Sequence, residues 1–257
     1  MSPRAGIFLI PVGFSGEIRP GDDLFDKLHF ALRHHKLSLR DGDVLVVKHK
    51  IVSKAEGNIV DLDHVKVRAA AKDWAEESGL DARVVELAYR ESRRIVRQQR
   101  IGRRAILITE THHGLVCANS GVDLSNVDGG KHALLLPQDP DRSALRLHSA
   151  IKKKCGIHVG VVISDSFGRP WREGLTEVAI GVAGLEPLVD LRGKRDPHGY
   201  VLHATSEAVA DELACAAGLV CGKLNRTPAC LVRGYRSPGK RGNARQLIRP
   251  KADDLFR

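Results

Sequence analysis

The stretch VGVVISDSFGRPWR, residues 159–172, decides the fold class. Residues 159–164 are an apolar run of strand length that stops at a carboxylate, Asp165. In α/β proteins ligands gather at the carboxyl ends of strands. A carboxylate beside the Ser166 hydroxyl offers hard oxygen ligands for Mg²⁺ or Mn²⁺, and Arg169 and Arg172 can hold phosphate or carboxylate oxygens. The same residues would also serve a turn closed by a helix cap and a salt bridge, and the segment alone leaves the two readings open.

Outward from this strand, apolar runs predict further strands over 7–11, 44–47, 105–109, 115–118, 177–183 and 229–232. Helical spacing predicts helices over 63–79, 83–97, 143–154 and 206–220. Another helix starts at a cap, Asp22 or Asp23, and runs to about His35. The three lysines that close the 143–154 helix suit its dipole. The pattern is mixed α/β, without internal repeat or linker, and reads as one catalytic module over 1–257.

A chain of 257 residues buries roughly three quarters of its unfolded surface and supports a core without staples. Its 42% apolar and 28% charged content excludes a disordered or collagenous chain. No apolar run reaches the roughly 18 residues that span a bilayer, and the first residues lack a cleavable leader, so the expected place is the cytoplasm. Five cysteines, with no CxxC pair, predict reduced, mostly buried thiols. A net charge of +10 favours acidic partners, either nucleic acid or a small polyanion. Nucleic-acid binders usually add aromatic platforms, and the eleven aromatic residues here are scattered.

Two other segments can carry chemistry. In residues 119–126 Asp123 and Asn126 lie three apart and can face one ligand on a turn, although turns favour such residues for conformational reasons. In residues 48–54 three lysines and a serine leave a strand, where ammonium groups suit nucleotide phosphates. There is no GxxxxGK[ST] run and no GxGxxG after a strand, so a nucleotide must be held some other way.

Together, GDVLVVKHKIVSKAEGNIVDL (42–62), THHGLVCANSGVDLSNV (111–127), VVISDSFGRPWREGLTEVAIGVAGLEPLVDLRGKRDPHG (161–199), ATSEAVADELACAAGLVCGKLNRTPACLVRGY (204–235) and LIRPKADDLFR (247–257) resemble the coenzyme F-420-0:L-glutamate (γ-glutamyl) ligase family. They cover about half of the chain in the family's order. The resemblance implies the family's own mixed α/β fold, built as an intertwined homodimer. It implies addition of L-glutamate to F-420-0 with GTP as co-substrate, releasing GDP and phosphate through an acyl phosphate. It also implies two divalent metal ions, Mg²⁺ or Mn²⁺, with Asp123 and Asp165 on one and Ser166 on the other. By position, His49, Lys54 and Asn126 would contact the nucleotide, and Ser15, Gly16, Glu17 and Ile18 with Cys221, Gly222, Lys223, Leu224, Asn225, Arg226, Thr227 and Pro228 would complete its site. Asp123, Asp165 and Lys54 would carry catalysis. The nitroreductase-like domain that follows this module in some relatives is expected to be absent.

The chain departs from the family at several points. Ser15-Gly16 stands where Leu-Pro is common, His49 where Gln or Ser is, and Glu173 and Leu175 where Asn and Gln are. Lys223 lies near a position that supplies a metal ligand in some members, and an ammonium cannot ligate Mg²⁺, so the second metal is expected to rest on fewer protein groups. Two other readings remain at this point. One is a ligase of the same fold acting on a different acidic acceptor, and the other is a nucleic-acid-binding protein using Arg93, Arg94, Arg97, Arg100, Arg103, Arg104 and Lys152 to Lys154.

Overall fold

Val44, Leu45, Val46 and Val47 are each no more than 2% exposed, which fits a strand apolar on both faces and covered on both. The computed structural model describes residues 6–102, 104–125, 127–237 and 241–254. In chain order its elements begin with β1 (Phe8–Val12), α1 (Leu24–His34), β2 (Val44–Lys48), α2 (His49–Ala55), β3 (Ile59–Asp61), α3 (Ala69–Ser78) and α4 (Ala82–Arg90). There follow β4 (Ser92–Ile101), β5 (Arg104–Thr111), β6 (Val116–Ala118), β7 (His132–Leu134), α5 (Pro140–Cys155), β8 (Gly160–Arg169) and β9 (Arg172–Ala183). The last are β10 (Val189–Asp190), β11 (Ser206–Glu207), α6 (Val209–Cys221) and β12 (Ala229–Arg233).

The main sheet has the order β1-β12-β2-β8-β9. Its one parallel pair is β2 with β8, which sets Lys48 opposite Ser164. Alternation along the strands divides the core. Leu45, Val47, Val161 and Ile163 pack with Phe25, Leu28 and Leu32 of α1 and Leu147 and Ile151 of α5. Val44, Val46 and Val162 pack on the other face with Val209, Leu213 and Ala217 of α6. Each large buried aliphatic side chain contributes about 1.5–3 kcal/mol. A third cluster joins Trp74 of α3 and Val85 of α4 to Leu107 of β5 and Ala133 of β7.

Aspartates at the starts of two helices satisfy the outer edge of β9. Asp211 of α6 accepts from Ala179 N at 2.8 Å, and Asp141 of α5 accepts from Val182 N at 2.8 Å and from Ala244 N at 2.7 Å. These bonds occupy N–H groups that an edge strand would otherwise offer to another chain. The helix α5 comes so close that a Cβ on Gly181 would lie 2.3 Å from the Pro140 carbonyl oxygen, which requires glycine there.

Several expectations need correction. Residues 63–79 are not one helix, because a 3₁₀ turn at Leu62–His64 gives way to extended chain and α3 spans only Ala69–Ser78. Residues 83–97 are not one helix, because α4 ends at Arg90 and residues 92–101 form β4, which pairs antiparallel with β5. Ile95 and Val96 looked like a helical face, but these β-branched residues lie exposed on a strand of the β4–β5 hairpin instead. The strand at 159 does not stop at Asp165 and continues to Arg169, since β9 pairs with it throughout. Ser206 and Glu207 pair with β10, so α6 starts only at Val209. The strands expected at 105–109 and 115–118 are present as β5 and β6, which pair with each other. No helix of the described residues is long and apolar enough to cross a membrane.

The small helical unit turns on one buried carboxylate. Glu86 is 0% exposed and accepts from Arg68 N at 3.1 Å, Arg68 Nε at 2.8 Å and Arg90 Nε at 2.7 Å. Burial alone pushes its carboxyl up, but the two guanidinium groups and the Arg68 N–H outweigh it and hold it below its ordinary value of 4.5. We predict that Glu86→Gln lowers the free energy of unfolding by about 1.5–3 kcal/mol at neutral pH. The folded state keeps Glu86 ionised more strongly than the unfolded chain does, so this stability is present above pH 4.5 and is lost as pH falls through the lowered value. Urea midpoints of the two proteins should therefore converge on acidification.

Candidate functional site

The parallel pairing of β2 and β8 places the chain 48–54 beside the chain 164–166. Successive strand residues point to opposite faces, so Asp165 and Ser166 serve different polar clusters. On the face of α1 and α5, Asp165 Oδ1 lies 3.3 Å from His49 Nε2, and His49 Nδ1 is 3.4 Å from Ser53 Oγ. On the face of α6, the Ser166 hydroxyl donates to Glu177 Oε1 at 2.6 Å and accepts from Lys223 Nζ at 2.8 Å. Glu177 also accepts from Lys48 Nζ at 2.8 Å and from the Ser164 hydroxyl at 2.9 Å. Gly218 of α6 makes room for it, because a Cβ there would lie 2.7 Å from Glu177 Cγ.

Asp123 reaches the first cluster by a turn in unusual backbone. Asn119, Ser120 and Gly121 have φ of 51°, 53° and 72°. Left-handed backbone costs about 1–3 kcal/mol at each non-glycine residue and persists where its surroundings hold it. Here the buried Ser120 hydroxyl donates to Ala88 O at 2.6 Å and lies 2.7 Å from Thr109 Oγ1. The backbone of Asp123 then exchanges two hydrogen bonds with Leu134, at 3.0 and 2.8 Å. Its side chain accepts from Lys50 Nζ at 2.6 Å and from Ser125 N at 2.6 Å.

The electrostatics tie these carboxylates together. Burial pushes Asp165 up, but the charge and hydrogen bond of His49 and the Ser166 N–H hold it below its ordinary value against opposition from Asp123. Burial likewise raises Asp123, and Lys50 and Ser125 overcome it. Glu177 is also held low, with burial outweighed by Lys48 and the two serines. Cys117, beneath the pair, is pushed up to about 12 by burial and by Asp165, so its thiol is inert.

A cleft of about 380 Å³ opens beside both clusters, lined by Gly16, Glu17 and Ile18, by Lys48, Lys50 and Lys54, and by the loop from Gly222 to Pro228. Two backbone bonds close its walls, Phe14 N to Arg226 O at 3.0 Å and Lys48 N to Pro228 O at 2.8 Å. Lys54 Nζ lies 3.4 Å from Glu17 Oε2 across it. Larger hollows of about 890, 570 and 500 Å³ flank α5, but none of the residues expected at the nucleotide or metal sites lines them, and chemistry outranks size here.

Most of the expected nucleotide residues therefore meet at one place. Lys223, Leu224, Arg226, Thr227 and Pro228 line the cleft with Gly222, whereas Ser15 lines a smaller adjoining hollow. Asn225 is exposed, its carbonyl accepting from Thr227 Oγ1 at 3.0 Å, and Cys221 is buried beneath the loop at 2% exposure. His49 is also 2% exposed and sits under Asp165 rather than in the cleft. Asn126 lies outside the described residues. Glu177 escaped the sequence reading, which took it only as the start of a strand; its signal is the hairpin register that sets it opposite Ser166.

The two clusters differ in what they can hold. In the first, Asp123 and Asp165 face one ammonium, Lys50, and a histidine. Two ionised carboxylates that repel one another fit a hard divalent cation. Among the described residues no three of His, Cys, Asp and Glu converge on one point, so water and substrate oxygens would complete its shell. In the second, one carboxylate, Glu177, faces two ammonium groups, Lys48 and Lys223. With an ammonium 2.8 Å from the Ser166 oxygen, this cluster does not fit a second metal.

The F420-0:Gamma-glutamyl ligase family model matches residues 15–234. A coenzyme F420:L-glutamate ligase of Methanothermobacter thermautotrophicus is 45% identical over 255 residues, 98% of this chain and 99% of that protein. A protein of the same name from Methanopyrus kandleri is 44% identical over 96% of each chain. Another, from Methanocaldococcus jannaschii, is 43% identical over 85% of this chain and 86% of its own length. The chain thus belongs to the F420-0:Gamma-glutamyl ligase family.

Proposed function

We propose that this protein ligates L-glutamate to coenzyme F-420-0, driven by GTP. The observation that carries the reading is the convergence of residues 16–18, Lys54, 222–224 and 226–228 on one cleft that opens beside the Asp123 and Asp165 carboxylates. Its volume lies in the range of small-molecule sites. Lys48, Lys50, Lys54, Lys223 and Arg226 outnumber Glu17 along its walls, which suits triphosphate and acidic substrates and offsets their mutual repulsion.

In the reaction, a carboxylate oxygen of F-420-0 attacks the γ-phosphorus, the bond to the β-phosphate oxygen breaks, and GDP leaves. The glutamate amine then attacks the acyl carbon and loses a proton, and phosphate departs. A divalent cation, Mg²⁺ or Mn²⁺, bound at Asp123 and Asp165 would neutralise phosphate charge. The chain's own part is to align the reactants and meet developing charge with fixed ammonium groups. Lys54 is assigned to the phosphates, and His49 orients Asp165.

The protein is also proposed to work as a homodimer through the β4–β5 hairpin, where Ile95, Val96, Ile101 and Ile106 are 37–54% exposed. Several basic residues that a nucleic-acid surface would need are engaged internally. Arg94 Nε donates to Glu110 at 2.7 Å, and Lys154 Nζ lies 3.0 Å from Asp23 and 2.7 Å from Asp26. This favours a small polyanion over a polymer.

Mass analysis of the product formed from GTP, L-glutamate and F-420-0 tests the reading. A glutamylated product supports it, and unchanged F-420-0 under conditions where the protein binds GTP contradicts it. Asp123→Asn and Asp165→Asn should each abolish turnover and weaken Mn²⁺ binding by about 10–100-fold or more, with unchanged circular dichroism. Near-normal turnover at saturating metal in either variant would remove that carboxylate from the site. Lys54→Ala should raise the Kd for GTP while leaving the KM for glutamate within about twofold; equal effects on both would remove Lys54 from the phosphates.

A further inference from the structure

The cluster around Ser166 has the wrong charge for a cation and the right one for an anion. Lys223 Nζ donates to Ser166 Oγ at 2.8 Å, and Ser166 donates in turn to Glu177 at 2.6 Å. Lys48 Nζ closes the chain on the same Glu177 oxygen at 2.8 Å. The four groups carry two positive charges and one negative, with Lys48 and Lys223 both in the cleft wall. We propose that Lys223 and Lys48, set by Ser166 and Glu177, form a phosphate site that takes the place of a second metal ion.

Glu177 positions Lys48 by a direct ion pair and Lys223 through the Ser166 hydroxyl, so both ammonium groups are held at the cleft with one proton of each committed. An ammonium has three donors. Each lysine thus keeps two N–H bonds for phosphate oxygens, and charge-assisted bonds of this kind are about twice as strong as neutral ones. Lys223 is exposed on its loop, so a phosphate reaches it without displacing a packed side chain. By contrast, a divalent ion on Ser166 would stand beside this ammonium without a free carboxylate to offset the repulsion. The site is thereby built to hold phosphate before any metal arrives.

The inference rests on the ligase reading only for the identity of the nucleotide, and its test avoids nucleotide altogether. Inorganic tripolyphosphate is titrated into the full chain in EDTA at low salt, with calorimetry as the readout. The wild type should bind, Lys223→Gln should bind at least tenfold more weakly, and Lys223→Glu should not bind without metal. Lys152→Gln, which lines a different hollow, should match the wild type. Circular dichroism and thermal melts of the variants should be unchanged, because Lys223 is in an exposed loop. No metal-free binding by the wild type, or equal binding by wild type and Lys223→Gln, overturns the proposal. Neither result touches the ligase reading, which fails instead if no glutamylated product forms.

Discussion

The parallel pairing of β2 with β8 is the constraint on which the site depends. It brings the chain that exits at Lys48 alongside the chain that continues through Ser164, Asp165 and Ser166. The register fixes more than proximity. Because strand side chains alternate, a one-residue slip would exchange the faces of Asp165 and Ser166 and mismatch both clusters together. The apolar residues that precede them resist such a slip, since Val161 and Ile163 are buried under α1 and α5 and Val162 under α6. The core therefore specifies the chemistry's geometry through the register.

Charge then separates the two faces. Asp123 and Asp165 meet against one lysine and one histidine, and Glu177 meets two lysines. The left-handed turn at Asn119 and Ser120, pinned through Ser120 to Ala88, delivers the second carboxylate of the first cluster. The loop after α6, pinned through Arg226 and Pro228, delivers the second ammonium of the other. Both deliveries come from loops fixed by hydrogen bonds to rigid elements, which is the arrangement that holds reactive groups in place at little entropic cost on binding.

Much of this was legible in the sequence. The apolar runs at 44–47 and 159–164 marked the two central strands, and Asp165 with Ser166 marked the polar positions that matter, although β8 runs on through them to Arg169. Residues 15–18, 54 and 221–228 were grouped by resemblance alone, and the fold brings most of them to one cleft. What escaped depended on pairing between distant segments. Glu177 became part of the site only through the β8–β9 register, and β4 was misread because Ile95 and Val96 fit a helical face as well as a strand until β5 pairs with them. His49 illustrates the same limit. Its place in the sequence suggested the cleft, whereas the helix that starts there turns the ring inward under Asp165.

We propose that phosphate transfer beside the β2–β8 pair is coupled to amide formation. Release of GDP from GTP, followed with L-glutamate and F-420-0 omitted in turn, tests it most directly. Coupling of the two steps requires sustained release only when both acceptors are present. Release that is indifferent to either acceptor, or tight and salt-sensitive RNA binding without any turnover, would contradict it.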